Sequence, residues 1–293
     1  MTKPIIAFIG AGAVGTSLAF WLKQANYPLA GIASRSYSSA QKAATFVGVP
    51  VLSLENACQS ADILFITTPD REISNVVDTL ADCHCIRKDM IIAHTSGAHA
   101  SDLLEPARTC GAHLMSFHPL QSFTKPESKL VNLKNTIFTL EGDEHALVFG
   151  IQIVQALKGQ PVIIHKTQKP LYHAGACTAS NYLVAVLHLA VSLLINAGFS
   201  KEAAQSALLP LVHGTLDNIE ATSVSKALTG PLSRGDAATV NTHLEAMQQL
   251  CPDLLPLYSQ LGVYTTYLAS ENKSITVNQA QMLVQMLSDF KNC

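Results

Sequence analysis

The sequence predicts an α/β domain built on a parallel sheet, followed by an all-helical domain. Three observations carry that reading. Short β-branched runs alternate with helical patterns through the first half, a glycine-rich turn follows the first run, and strand patterns vanish after Lys166. Such alternation is the signature of βαβ units, whose crossovers lay helices on the faces of a parallel sheet. The change of texture sets the expected domains at 1–166 and 167–293.

In chain order, strands are expected at residues 5–9, 29–33, 63–67, 90–94 and 113–117, with a further short piece near Val51. Helices at 14–24, 38–46, 71–80 and 101–110 fall between them. Two more strand-like runs, 135–140 and 161–165, flank a helix near 143–157 and close the first domain. Beyond it, Pro170 suits the first turn of a helix, where its missing N–H is not needed. That helix is expected to reach Ala197, with Gly198 as its stop. Helices near 201–222, 236–250, 254–268 and 277–292 complete the chain.

Composition excludes several classes. The 293 residues are 48% hydrophobic and only 14% charged, which is incompatible with disorder. A net charge of −2 builds no basic field for nucleic acid. So few charges imply that apolar surface is hidden in an oligomer, expected to be a homodimer through the C-terminal domain. The longest apolar stretch, 183–199, carries His188, Ser192 and Asn196 at four-residue spacing. It therefore reads as a buried helix rather than a membrane span. The N-terminal apolar run is too short for a secretory signal, because a glycine turn follows at once. Seven scattered cysteines, Cys83-His84-Cys85 among them, lack zinc-ligand spacing. No metal is expected, and the thiols read as reduced and cytoplasmic.

Gly10-Ala11-Gly12-Ala13-Val14-Gly15 follows the first strand and opens the first helix, as a Rossmann dinucleotide turn does. Gly10 permits the tight turn, Gly12 admits the pyrophosphate to the backbone, and Gly15 lets helix and strand pack closely. The helix N-terminus offers free N–H groups to the phosphates. At the end of the second strand, where an NAD site has an acid for the ribose, the chain reads Ser34-Arg35-Ser36. Arg35 supplies a charged fork for a 2′-phosphate and the serines add hydroxyl donors, so the cofactor is read as NADP(H). Thr67-Thr68-Pro69 and His94-Thr95-Ser96-Gly97 fall at the carboxyl ends of later strands, where ligands bind in open α/β sheets. Thr67, Thr68, Pro69 and Ser96 are read there as ligand contacts, with ordinary loop capping as the alternative for the hydroxyls.

Together with Phe117-His118-Pro119-Leu120-Gln121, Lys169-Pro170-Leu171-Tyr172-His173, Ala179-Ser180-Asn181-Tyr182 and Leu228-Thr229-Gly230-Pro231 leading to Arg234-Gly235-Asp236, these motifs carry a resemblance over nearly the full chain. It resembles the Rossmann-like oxidoreductases with the C-terminal domain of unknown function 2520. The resemblance implies a helical domain like the C-terminal domain of 6-phosphogluconate dehydrogenase, usually dimeric. It also implies kinship with ketopantoate, pyrroline-5-carboxylate and deazaflavin-dependent NADP reductases. The wider β-hydroxyacid dehydrogenase group carries a catalytic lysine with an asparagine four residues later. If Asn181 takes the place of that asparagine, the lysine position falls on Cys177, whose thiol cannot replace an ammonium at neutral pH.

At 100° per residue His173, Cys177, Ser180 and Asn181 share about a third of a helix circumference. Polar groups on one face of an apolar helix either line a cavity or meet partners at an interface. His173, with an ordinary pKa of ~6.5, is read as general acid. Asn181 holds the substrate oxygen, and Lys169 or His118 stand in reserve. Ser180 is a further substrate contact. His118, beside Pro119 at a strand end, is either a substrate contact or a satisfied loop histidine. Arg234 is either the anchor of a substrate carboxylate or a partner of Asp236, which is placed to cap the following helix. The expected function is NADPH-dependent reduction of a small carbonyl compound, a ketopantoate-like 2-oxo acid. The alternatives are an imino-acid reductase and a non-catalytic NADP-binding redox sensor.

Overall fold

A computed structural model describes residues 3–124 and 130–289. The chain divides into two compact units, Met1–Ser180 and Asn181–Cys293.

The first unit runs β1 (Ile6–Ile9), α1 (Ala13–Gln24), β2 (Leu29–Ala33), α2 (Tyr37–Val47), α3 (Leu54–Gln59), β3 (Ile63–Ile66), α4 (Asp70–Asp82) and β4 (Ile91–His94). A 3-10 turn at Ser101–Leu104 then leads into α5 (Glu105–Thr109), followed by β5 (His113–Pro119), β6 (Ile137–Gly142), α6 (Glu144–Ala156), β7 (Gln160–Ile163) and α7 (Lys169–Cys177). The sheet order is β2-β1-β3-β4-β5-β6-β7. Strands β1 to β5 are parallel, as expected, but β6 runs antiparallel to β5 and carries β7 with it. A parallel neighbour needs a crossover of a dozen or more residues, usually helical. No helix crosses from β5 to β6 among the described residues, so the chain turns back on itself instead.

β1, β3 and β4 are buried along their whole length because helices cover both faces. One face carries a row of rings across the sheet. Phe8 stacks on Phe65 at 5.3 Å, and Phe117 meets both Phe65 and Phe138 at 5.2 Å. Smaller departures from expectation have local causes. Val51 makes only a single bridge with Ile32. Ser53 caps α3, a helix too short to show a periodic pattern. The helix expected at 101–110 is half 3-10. The helix expected from Pro170 to Ala197 is interrupted by a π-helical turn at Thr178–Tyr182. The first unit takes in α7, whose Lys169 is buried.

The second unit is helical throughout, with α8 (Leu183–Asn196), α9 (Lys201–Ala221), α10 (Pro231–Arg234), α11 (Ala237–Leu250), α12 (Leu255–Glu271) and α13 (Val277–Asp289). Its core is Val240 and Leu244 of α11 against Leu255 and Ala269 of α12 and Leu283 and Leu287 of α13. Asp236 caps α11 as expected, accepting from the Thr239 N–H at 3.1 Å and the Thr239 hydroxyl at 2.7 Å. The expected end of the last helix, 290–292, lies outside the described residues. By length and composition alone, Lys166–Asn196 is long and apolar enough to cross a membrane. Two polar members of α8 bond to its own backbone. Ser192 donates to the His188 carbonyl and Asn196 to the Ser192 carbonyl, each at 2.9 Å.

Candidate active site

The glycine turn is built by steric exclusion. Gly10 leaves β1 at φ +118°, and a Cβ there would stand 2.6 Å from the Thr67 carbonyl carbon. A Cβ at Gly15 would collide with Thr67 Oγ1 and approach the Gly10 carbonyl. A Cβ at Gly12 would meet nothing within 4 Å, so that edge is open. Thr67 braces the turn by donating its hydroxyl to the Gly10 carbonyl at 2.9 Å. Of the two readings of Thr67, bracing of the loop is thus what its hydroxyl does. Gly12 sits at the N-cap of α1 without a capping side chain, and no acid occupies the first turn. Its free N–H groups suit a phosphate.

These residues border a cavity of about 620 Å³ at the carboxyl ends of β1, β2 and β3. Gly10, Ala11 and Gly12 line it, with Ser34, Arg35 and Ser36 on one side and Thr67, Thr68 and Pro69 on the other. Ala13 opens α1, and Val14 packs against the core. Thr68 Oγ1 is buried there without a hydrogen-bond partner among the described residues. A turn with no room for a Cβ at Gly10 or Gly15, an open edge at Gly12, a free helix N-terminus and an orphaned hydroxyl fit a dinucleotide. Arg35 is 87% exposed, 3.7 Å from Glu72 on α4. Ser36 has a structural task as well, since its hydroxyl caps α2.

A second group forms at the carboxyl ends of β4 and β5. His94 is fully buried, with Nδ1 accepting from the Ser96 N–H at 3.1 Å and Nε2 donating to the Ala100 carbonyl at 3.0 Å. Burial holds its pKa down at about 4, so it is a neutral clamp on the loop. Ser96, expected to touch ligand, gives its hydroxyl to Asp70 at 2.7 Å. Gly97 follows, and a Cβ on it would stand 2.5 Å from His173 Cδ2 and 2.8 Å from His118 Nε2. The two imidazole edges converge on the space that this glycine leaves vacant.

Lys169, the first residue of α7, is only 1% exposed. Its Nζ donates to Ser116 Oγ at 2.5 Å and to the Ser96 carbonyl at 3.2 Å. Burial lowers its pKa to about 8, against the pull of Glu141 and Asp70. One turn on, the Tyr172 hydroxyl shares a 2.7 Å hydrogen bond with His118 Nδ1. Burial, then the charges of Lys169 and His173, depress His118 to about 4, while burial raises Tyr172. His173 packs edge-on against His118 with ring centroids 6.2 Å apart, and Cys177 Sγ lies 3.7 Å from His173 Nδ1.

The structure thus brings together His118, Lys169 and His173, three of the residues singled out from sequence. His118 is paired through Nδ1 with a tyrosine. Ser180, exposed, ends the first unit, and Asn181, exposed, opens the second. In the second unit Arg234 ends α10, exposed and without an ion-pair partner among the described residues. Asp236 is committed to Thr239 instead. Sequence reasoning gave no role to Tyr172, Ser116 or Asp70. Only the three-residue spacing of Lys169 and Tyr172, one helical turn, hinted that the phenol joins the lysine's face.

Two family models match the chain: a Rossmann-like domain over residues 2–119 and the domain of unknown function DUF2520 over residues 136–265. Among solved structures, a protein of Bacteroides fragilis provisionally described as an NADP oxidoreductase superposes with a TM-score of 0.76 at 22% identity. That match covers 91% of this chain and 99% of the other. A protein of Thermotoga maritima, whose name states no activity, matches with a TM-score of 0.73 at 26% identity, covering 90% and 99%. An imine reductase of a Pseudomonas species matches with a TM-score of 0.64 at 19% identity, covering 94% and 100%. No curated protein matches the chain.

Proposed function

We propose that this chain, a Rossmann-like protein carrying the domain of unknown function 2520, is an NADP(H)-dependent reductase of a small carbonyl or imine compound. The observation that carries the reading is the adjacency of the two groups on one sheet edge. In the order β2-β1-β3-β4-β5, the glycine cradle spans β2 to β3 and the His118–Tyr172–His173 group follows at β4 and β5. A dinucleotide with its 2′-phosphate at Arg35 and its pyrophosphate on α1 extends toward that group.

NADPH bound there would supply the hydride. The chain supplies the rest: Gly10 and Gly15 shape the turn and Gly12 admits the phosphates, Arg35 takes the 2′-phosphate, and Thr68 offers its unpaired hydroxyl. A reduced carbonyl oxygen needs a proton, and a positioned acid delivers it. His173, read from the sequence as the general acid, is half-buried next to His118 and serves here as the entry point for protons from solvent. Lys169, held by Ser96 and Ser116, positions the loop rather than reaching out. Asn181 is the proposed holder of the substrate oxygen, Ser180 a contact, and Arg234 the anchor of a carboxylate, which fits a ketopantoate-like 2-oxo acid or an imino acid alike.

The helical unit is proposed to form a homodimer. Val184 of α8 and Leu211 of α9 are 67% and 66% exposed, an apolar excess that a second copy would cover. The six described cysteines are free thiols, which suits a reducing, cytoplasmic setting. NADPH oxidation across a panel of 2-oxo acids and imines tests the function directly.

A further inference from the structure

We propose that Tyr172 Oη is the group that hands the proton to the substrate oxygen, and that His118 restores that proton. The proposal rests on the reductase reading and names the donor within it. Three observations single out the phenol. Lys169 is 1% exposed and its Nζ is spent on Ser116 and the Ser96 carbonyl. His118 directs Nδ1 at Tyr172 and its other edge at Gly97, so its nitrogens face protein groups rather than open space. Tyr172 is half-exposed, and its oxygen is held at 2.7 Å by His118, with the Thr139 side chain also beside it. Because a phenolic oxygen both donates and accepts, it can give its proton outward while receiving one from behind.

The atoms balance as follows. As hydride reaches the carbonyl carbon, the C=O π pair moves onto oxygen, which takes the proton from Tyr172 Oη. The Tyr172 O–H bond breaks, and Oη takes the Nδ1 proton of His118. His118 Nε2 takes one proton passed on from the neighbouring His173, which is half-buried and regains it from solvent. The imidazole ends neutral, in its other tautomer. Such a shuttle needs a neutral histidine, and burial with the nearby Lys169 ammonium keeps His118 neutral at pH 7. Burial also keeps the phenol protonated at that pH, ready to donate.

The test measures kcat and NADPH affinity of the full chain with whichever 2-oxo acid or cyclic imine of the panel is reduced. Tyr172→Phe should lower kcat about 10²–10⁴-fold with NADPH affinity unchanged, the span for losing a general acid. His118→Asn should shift the alkaline limb of the kcat–pH profile, a readout that a merely structural histidine would leave in place. Should Tyr172→Phe fold poorly, 3-fluorotyrosine at position 172 acidifies the phenol at nearly constant shape and should move that limb to lower pH. A wild-type kcat in Tyr172→Phe, or an unmoved limb with fluorotyrosine, overturns the assignment to Tyr172 while the reductase reading stands. A wild-type protein that binds NADPH yet reduces nothing in the panel overturns the reductase reading itself.

Discussion

Arg35 and Glu72 face each other at 3.7 Å at the mouth of the glycine-lined cavity, both lining it. The guanidinium is 87% exposed, so the contact is worth little in water and a phosphate would outcompete it. Arg35→Ala should weaken NADPH binding about 10–100-fold, matching the ~1.5–3 kcal/mol of charged hydrogen bonds, and leave NADH unchanged. Glu72→Gln should tighten NADPH a few-fold by freeing the arginine. Fluorescence titration reads both. An Arg35→Ala variant with unaltered NADPH affinity would remove the argument for NADP over NAD.

Gly15→Ala tests the cradle. Its Cβ would enter the space held by Thr67 Oγ1, and overpacking of this kind costs about 1–3 kcal/mol. Urea denaturation should show that loss, with nucleotide binding reduced. The double variant with Thr67→Ala should recover part of the stability, because the colliding hydroxyl is gone. Unchanged stability in Gly15→Ala would mean the turn has slack.

The pH dependence of stability follows from three buried groups. His94 and His118 have folded pKa values of about 4, below the ordinary 6.5. Between those values the unfolded chain binds more protons, so stability is complete above pH 6.5 and is lost as pH falls toward 4. For fully buried His94 that loss is about 3 kcal/mol. Lys169, lowered from 10.5 to about 8, acts on the other flank, where stability rises as pH goes from 8 to 10.5. Urea denaturation across pH should show both slopes. His94→Asn should flatten the acid one, and Lys169→Met the alkaline one. Slopes that persist in the variants would assign them to other groups.

The glycine turn and the alternation of strands and helices were legible because each rests on local chemistry: a glycine where Cβ atoms collide, a β-branched run where both faces are covered. What escaped was non-local. Whether β6 runs with or against β5 depends on the path of the intervening segment, which leaves no periodic trace. The π turn at Thr178–Tyr182 leaves no mark in the apolar pattern of α7 and α8. Lys169 read as a residue at a helix start, and only the fold reveals that Ser96 and Ser116 bury it. Tyr172 read as a helix residue without a role because its partner, His118, is 54 residues away in sequence.

The exposed apolar side chains of α8 and α9 give a prediction on assembly. Sedimentation at micromolar concentration should give the mass of two chains, and Leu211→Glu with Val184→Glu should give one. A wild-type monomer would leave those side chains without an explanation.

The reductase reading faces its most direct trial in one measurement: loss of NADPH absorbance in the presence of a panel of 2-oxo acids, cyclic imines and aldehydes. The account predicts enzyme-dependent oxidation of NADPH with at least one 2-oxo or imino acid, and Arg234→Ala should raise KM for it without altering NADPH affinity. Tight NADPH binding with no oxidation across the whole panel would contradict it and favour a cofactor-sensing protein.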